Sequence, residues 1–162
     1  MANVLQISEA ASLAIHSMCI LAKTEKPALT SSELAARLKA SRTHLSKVMR
    51  HLVKARLLFS SPGPTGGFSL QKKSSKISLL NVYEAVEGKF IPCKCLVGKP
   101  VCSGKKCVFG GLLSEINEKV KGHFERTYLS SLTDVFGDDE NGKKESKLKA
   151  KSKKREKKNS KN

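Results

Sequence analysis

Apolar positions recur at three- and four-residue spacing through much of the chain, the period of helices with one buried face. Ser8 opens a first helix predicted to run to about Lys23. Its Ala11, Leu13, Ala14, Ile15, Met18, Leu21 and Ala22 cover most of the circumference, so it should be largely buried. Ser12, His16 and Cys19 fall at i, i+4 and i+7 on one face of it. A loop containing Pro27 leads to Thr30-Ser-Ser-Glu33, a capping box in which the Thr hydroxyl accepts a backbone N–H and the Glu reaches back. The short helix it opens turns Leu34, Ala35 and Leu38 inward. After a tight turn at Lys39-Ala40, Ser41 caps a helix that buries Leu45, Val48, Met49 and Leu52 and ends near Arg56. These positions match a helix-turn-helix, with the small Ala35 allowing the two helices to cross closely.

Leu57–Ser60 and Phe68–Gln71 read as two short strands around Ser61-Pro-Gly-Pro-Thr-Gly-Gly67, a hairpin placed like the wing of a winged helix. Ser78 caps a further helix with Leu79, Val82, Tyr83 and Val86 inside and Gly88 as its stop. Phe109, Leu113, Ile116, Val120, Phe124 and Tyr128 then mark one stripe of a long helix, widened by Leu112 and Leu129. Coming after a compact domain, that stripe has little of its own chain left to cover, so a dimer seam is expected. The pattern gives a mainly α fold with a small β-hairpin wing: a winged helix-turn-helix plus a long C-terminal dimerisation helix. The expected division is a DNA-binding domain over 1–88, a cysteine loop and dimerisation helix over 89–136, and a disordered Lys-rich tail over 137–162.

Charge sharpens this reading. The net charge is +17. Residues 141–162 carry eleven Lys or Arg against two acids, a net of +9, which leaves the body at +8. A body that is basic without its tail points to an anionic partner, nucleic acid or a membrane surface. The apolar run Leu13–Ala22 is interrupted by His16 and Ser17, is too short to span a bilayer and follows no basic leader. The chain is therefore expected to be cytoplasmic, with double-stranded DNA and no membrane as partner. On the second helix of the pair, Thr43, Lys47, Arg50 and Lys54 share the exposed face, with Arg42 and Ser46 beside them. No acid occurs from Arg42 to Arg56, whereas faces that serve only solvation mix signs. Such a face suits the major groove. In the wing, Thr65, Gly66 and Gly67 are candidates for close approach to phosphates, with Lys72, Lys73 and Lys76 adding charge.

The remaining chemistry is concentrated in Cys93-Lys-Cys95-Leu-Val-Gly-Lys-Pro-Val-Cys102-Ser-Gly-Lys-Lys-Cys107. Gly and Pro exclude regular structure here, so something the thiols hold should give the loop its shape. A soft metal centre is the natural occupant, an iron–sulfur cluster or zinc. A disulfide staple or thiol switch is the alternative. Zinc held by Cys93, Cys95, Cys102 and Cys107 would lack the usual Cys-x-x-Cys knuckles. A thiol oxidoreductase finds no Cys-x-x-Cys on a helix N-terminus and no βαβ pattern, so no enzyme is expected.

Taken in order, Thr30-Ser-Ser-Glu-Leu-Ala, the helix from Arg42, the wing Ser61–Phe68, Ile77-Ser-Leu-Leu-Asn-Val82 and the cysteine loop resemble the Rrf-type regulators, the family of IscR and NsrR. The resemblance runs from about residue 5 to residue 135. It implies a homodimeric winged-helix transcription factor whose operator binding is governed by an iron–sulfur cluster (2Fe–2S or 4Fe–4S) responding to iron status, nitric oxide or an oxidant. Cys95, Cys102 and Cys107, with gaps of six and four residues, are nearest to the family's three ligands, and Cys93 is an extra thiol. Pro62 stands where the family's wing commonly has Arg, and Gly110 where one branch has a His ligand. The fourth ligand would then come from His16 on the first helix, where the resembled family finds a cross-subunit ligand, or from Cys93, with His16 preferred.

Overall fold

The computed structural model describes residues 7–63, 66–93, 95 and 107–136; Thr65, Cys102 and the Lys-rich tail lie outside them. The chain builds α1 (Glu9–Lys23), α2 (Ser31–Leu38), α3 (Arg42–Lys54), β1 (Leu58–Ser61), β2 (Gly67–Leu70), α4 (Leu79–Glu87) and α5 (Leu112–Arg126), with 3-10 turns at Ser74–Lys76 and Leu129–Ser131.

Side chains start the first four helices. Ser8 Oγ accepts from Ala11 N at 2.9 Å and also donates to Glu87 of α4, fastening the two helices where α1 begins. Thr30 and Glu33 form the capping box, with Thr30 N–H donating to Glu33 Oε2 at 2.8 Å. Ser41 accepts from His44 N, and Ser78 forms a second box with Asn81. Lys39 closes α2 in the left-handed region (φ 50°), at a cost of order 1 kcal/mol that glycine would avoid. That conformation sends Ala40 N–H back to the Ala35 carbonyl at 3.0 Å and turns the chain into α3.

The core is laid down by α1, which buries Ala11, Leu13, Ala14, Met18, Cys19, Ile20 and Leu21 and packs against α2, α3 and α4. Leu34, Leu45, Met49 and Leu52 complete the helix-turn-helix interior. Phe124 and Leu129 join the same cluster, so a single core runs through both segments that the sequence divides near residue 88.

The wing pairs β1 with β2 antiparallel, Leu58 opposite Leu70 and Ser61 opposite Gly67. Each strand sits one residue from its expected place because the start of β2 is seated on the α1–α2 loop. Leu29 and Phe68 exchange backbone hydrogen bonds at 2.8 and 3.0 Å. A Cβ on Gly67 (φ 152°) would lie 2.6 Å from the Leu29 carbonyl oxygen.

The last helix is shorter than its stripe. Phe109 lies in a turn before it, and Tyr128 lies beyond Arg126 in extended backbone paired with Ser78. Leu79 N–H donates to Thr127 O at 2.9 Å and Leu129 N–H to Ile77 O at 3.0 Å, so tertiary pairing removes the end of the stripe from the helix. Phe124 is buried and Val120 packs on the core, while Leu112 is half exposed. The stripe is thus covered by its own chain at one end and open at the other.

Candidate nucleic-acid interface and cysteine loop

Helix α3 sorts its residues cleanly. Leu45, Val48, Met49 and Leu52 point into the core, while Arg42, Thr43, Lys47, Arg50 and Lys54 are exposed and Ser46 is half exposed. Arg50 Nε reaches the Ser46 carbonyl at 3.4 Å, and Arg42 Nη1 reaches Ser32 Oγ at the same distance. Both contacts are long and exposed, so these guanidiniums can exchange them for an external acceptor at little cost. The nearest acidic partner on this helix is Glu9, 3.7 Å from His44 Nδ1, on the first turn of α1. The outer face therefore projects positive charge and hydroxyls from a rigid helix.

In the wing, the two candidate glycines have internal reasons to be glycine. Gly67 admits Leu29, and a Cβ on Gly66 would lie 2.2 Å from the Ser61 carbonyl oxygen. Their missing side chains close the hairpin and seat it on the helix pair. Phe59 stands exposed on β1, a residue that the sequence reading did not single out.

The cysteine loop leaves α4 at Gly88 (φ 84°). Phe90 N–H donates to Glu84 Oε1 at 3.0 Å, and its ring rests on Tyr83 with centroids 5.8 Å apart. Cys93 Sγ donates to the Cys95 carbonyl at 2.9 Å, and Asn117 Nδ2 of α5 donates to the Cys93 carbonyl at 2.8 Å. At the far end Cys107 O accepts from Gly110 N at 3.0 Å, within the turn that enters α5. Cys93, Cys95 and Cys107 are free thiols; Cys93 and Cys107 are exposed and Cys95 half buried.

His16 is exposed on α1, not buried among its apolar neighbours. Its Nδ1 lies 2.7 Å from the Ser12 carbonyl, which can only accept, so Nδ1 donates there and Nε2 is the other ring nitrogen. Its ring meets Phe136 edge-on at 5.8 Å. Cys19, one turn further on, is 3% exposed, and burial pushes its thiol up to about 11, which makes it inert. Among the described residues no three His, Cys, Asp or Glu side chains converge on a point that could hold a metal.

A family profile described as "Rrf2: Iron-dependent Transcriptional regulator" matches residues 7–135. The chain belongs to the Rrf2 family. Among Rrf2-like sequences it is 36% identical over 112 residues to the HTH-type transcriptional regulator YwgB of Bacillus subtilis, covering 68% of this chain and 72% of that one. Its fold is that of CymR, the global cysteine regulator of B. subtilis, with a TM-score of 0.69 at 22% identity over 82% of this chain and 99% of CymR. T. potens IscR gives 0.62 at 17% identity, over 82% and 90%. The winged-helix fold, the membership and the DNA-binding class of regulator are thereby established, and these relatives are regulators rather than enzymes. Among the described residues no helix of this Rrf2 protein is long and apolar enough to cross a membrane.

The sequence reading missed Ser32, Glu84 and Asn117. Their partners lie ten, six and twenty-four residues away, and only folding brings them together.

Proposed function

We propose that this Rrf2 protein is a cytoplasmic, homodimeric repressor or activator that binds operator DNA through α3 and the wing, and that the state of its cysteine loop sets that binding. The observation that carries the proposal is the placement of the loop: four thiols in fifteen residues connect α4 of the DNA-binding head to the half-open helix α5.

The donor set fits an iron–sulfur cluster chemically, since Cys93, Cys95 and Cys107 are free, outside the core and soft. Cys95, Cys102 and Cys107 would hold it, with His16 of the second subunit or Cys93 as fourth ligand. His16 supports the cross-subunit version, because its bond to Ser12 O leaves Nε2 as the available nitrogen. Bound there, the cluster would supply a redox- and nitric-oxide-sensitive tie. The chain's own residues do the rest: Asn117 and Glu84 fix where the loop starts, α5 supplies the dimer seam, and α3 presents Arg42, Thr43, Ser46, Lys47, Arg50 and Lys54. The proposed wing contacts are Thr65, Gly66 and Gly67. A zinc site or thiol–disulfide switch in the same loop is the second reading, favoured by the exposure of Cys93 and Cys107 as free thiols.

Anaerobically purified protein separates the readings. Brown colour, visible absorption and stoichiometric iron are expected, all lost in Cys95→Ala and in Cys107→Ala. A colourless protein carrying zinc, or no metal and a reversible disulfide, sinks the cluster reading. Loss of iron in Cys93→Ala but not in His16→Ala confines ligation to the loop.

A further inference from the structure

The cysteine loop is held at its start by two hydrogen bonds from two different helices. Glu84 of α4 takes the Phe90 N–H, and the Phe90 ring lies on Tyr83, which in turn lies 5.6 Å from Phe124 of α5. Ile91 then stands 80% exposed, with no packing to hold it. The next fixed point is the Cys93 carbonyl, gripped by Asn117 Nδ2. The same Nδ2 donates to the Leu113 carbonyl at 2.7 Å, so both of its protons are committed. Leu113 O is also the acceptor that the Asn117 backbone N–H uses in the helix ladder. One amide thus joins the backbone at the first loop cysteine to the second turn of α5.

Cys93 does not sit passively at this junction. Its thiol donates to the Cys95 carbonyl at 2.9 Å. Alkylation, or coordination of the thiolate to a metal, replaces that proton and removes the hydrogen bond to the Cys95 carbonyl. That bond lies next to the Cys93 carbonyl, which Asn117 holds at 2.8 Å.

We infer that Asn117 is the positioning residue through which the chemical state of the loop thiols reaches α5. The inference deepens the proposed regulation and rests on it for its biological use, but its physical content stands on the apo chain.

The experiment uses the full-length reduced protein with N-ethylmaleimide as probe and amide hydrogen exchange as readout. Buried Cys19, with its raised pKa, is spared under mild conditions. In wild type, alkylation should speed exchange in residues 112–118 by about fivefold, the change expected when one hydrogen bond of typical net strength is lost. Asn117→Leu removes the donor, and Asn117→Asp removes it at constant size. Both should exchange fast at residues 90–95 before alkylation and show no further change on α5 after it. The inference is overturned if α5 of wild type ignores alkylation, or if both variants transmit the change as wild type does. Operator affinity measured on the same samples tests the regulatory reading separately. If alkylation changes exchange but leaves affinity alone, the coupling stands and the regulation does not.

Discussion

Helices α1 and α5 are both 15 residues long and both carry an apolar stripe, yet they fare differently. Eight side chains of α1 are buried, the apolar ones among neighbours from three other helices. In α5 only Phe124 is buried, although Leu112, Leu113, Ile116 and Val120 repeat at helical spacing. The difference shows which helix completes the fold and which keeps an apolar face open. An apolar stripe covered at one end and open at the other is what a helix shared between two copies looks like in one of them.

The comparison can be broken by truncating one residue from each stripe. Met18→Ala removes a fully buried side chain and should cost about 2–5 kcal/mol in urea unfolding. Leu112→Ala should change the stability of the chain's own fold by no more than about 0.5 kcal/mol. The same variant should weaken self-association by roughly tenfold, about 1.4 kcal/mol, in sedimentation equilibrium. Equal stability losses, or an unaltered association constant for Leu112→Ala, would remove the distinction between the helices.

The next effect concerns the exposed face of α3. Arg50→Ala should cost about 1–3 kcal/mol of operator affinity if its guanidinium reads a base edge. Lys47→Ala should weaken operator and random DNA together. Competition binding at fixed salt separates them, and no loss in either variant would move the interface elsewhere.

Helix caps give the smaller effects. Thr30→Ala should lower stability by about 0.5–2 kcal/mol, because Glu33 N–H loses its acceptor and Glu33 Oε2 loses the Thr30 hydroxyl. Smallest is a pH effect at the same cap. The Lys26 side chain, bonded at 2.8 Å, and then the Thr30 backbone N–H hold the Glu33 carboxyl down to about 2. A carboxyl lowered on folding stabilises the native state above its unfolded pKa, near 4.5, and loses that contribution as pH falls toward about 2. The Glu33 side chain is 38% exposed, so solvent screening keeps the effect modest. Thermal melts of Glu33→Gln against wild type should differ at pH 6 and converge near pH 2.

The features that sequence made legible are those whose chemistry is local. Ser8, Thr30 with Glu33, Ser41 and Ser78 each announce a helix start, because the groups they satisfy lie three residues away. The all-basic face of α3 was equally readable, since period and charge alone define it. The ends of α5 were not, because Phe109 and Tyr128 continue the spacing while Gly110 and the pairing of Tyr128 with Ser78 end the helix. The strand shift and the internal duty of Gly67 depend on Leu29, almost forty residues away. His16 carries the same lesson: its helix is buried overall, but whether one position on it is open depends on neighbours the helix itself does not specify.

The bridge between Leu29 and Phe68 has a mechanical consequence. With two backbone hydrogen bonds across it and the Gly67 main chain pressed against Leu29, the wing has no hinge at its root. Wing and helix pair are thus tied together at that root. In the proposed homodimer the remaining freedom would lie between heads, in the separation and tilt that two copies of α5 impose. Regulation in the proposed dimer would be a question of gauge, like the spacing of rails: each head would stay shaped for its half-site, and DNA would be held or released according to whether the pair can span the helical repeat.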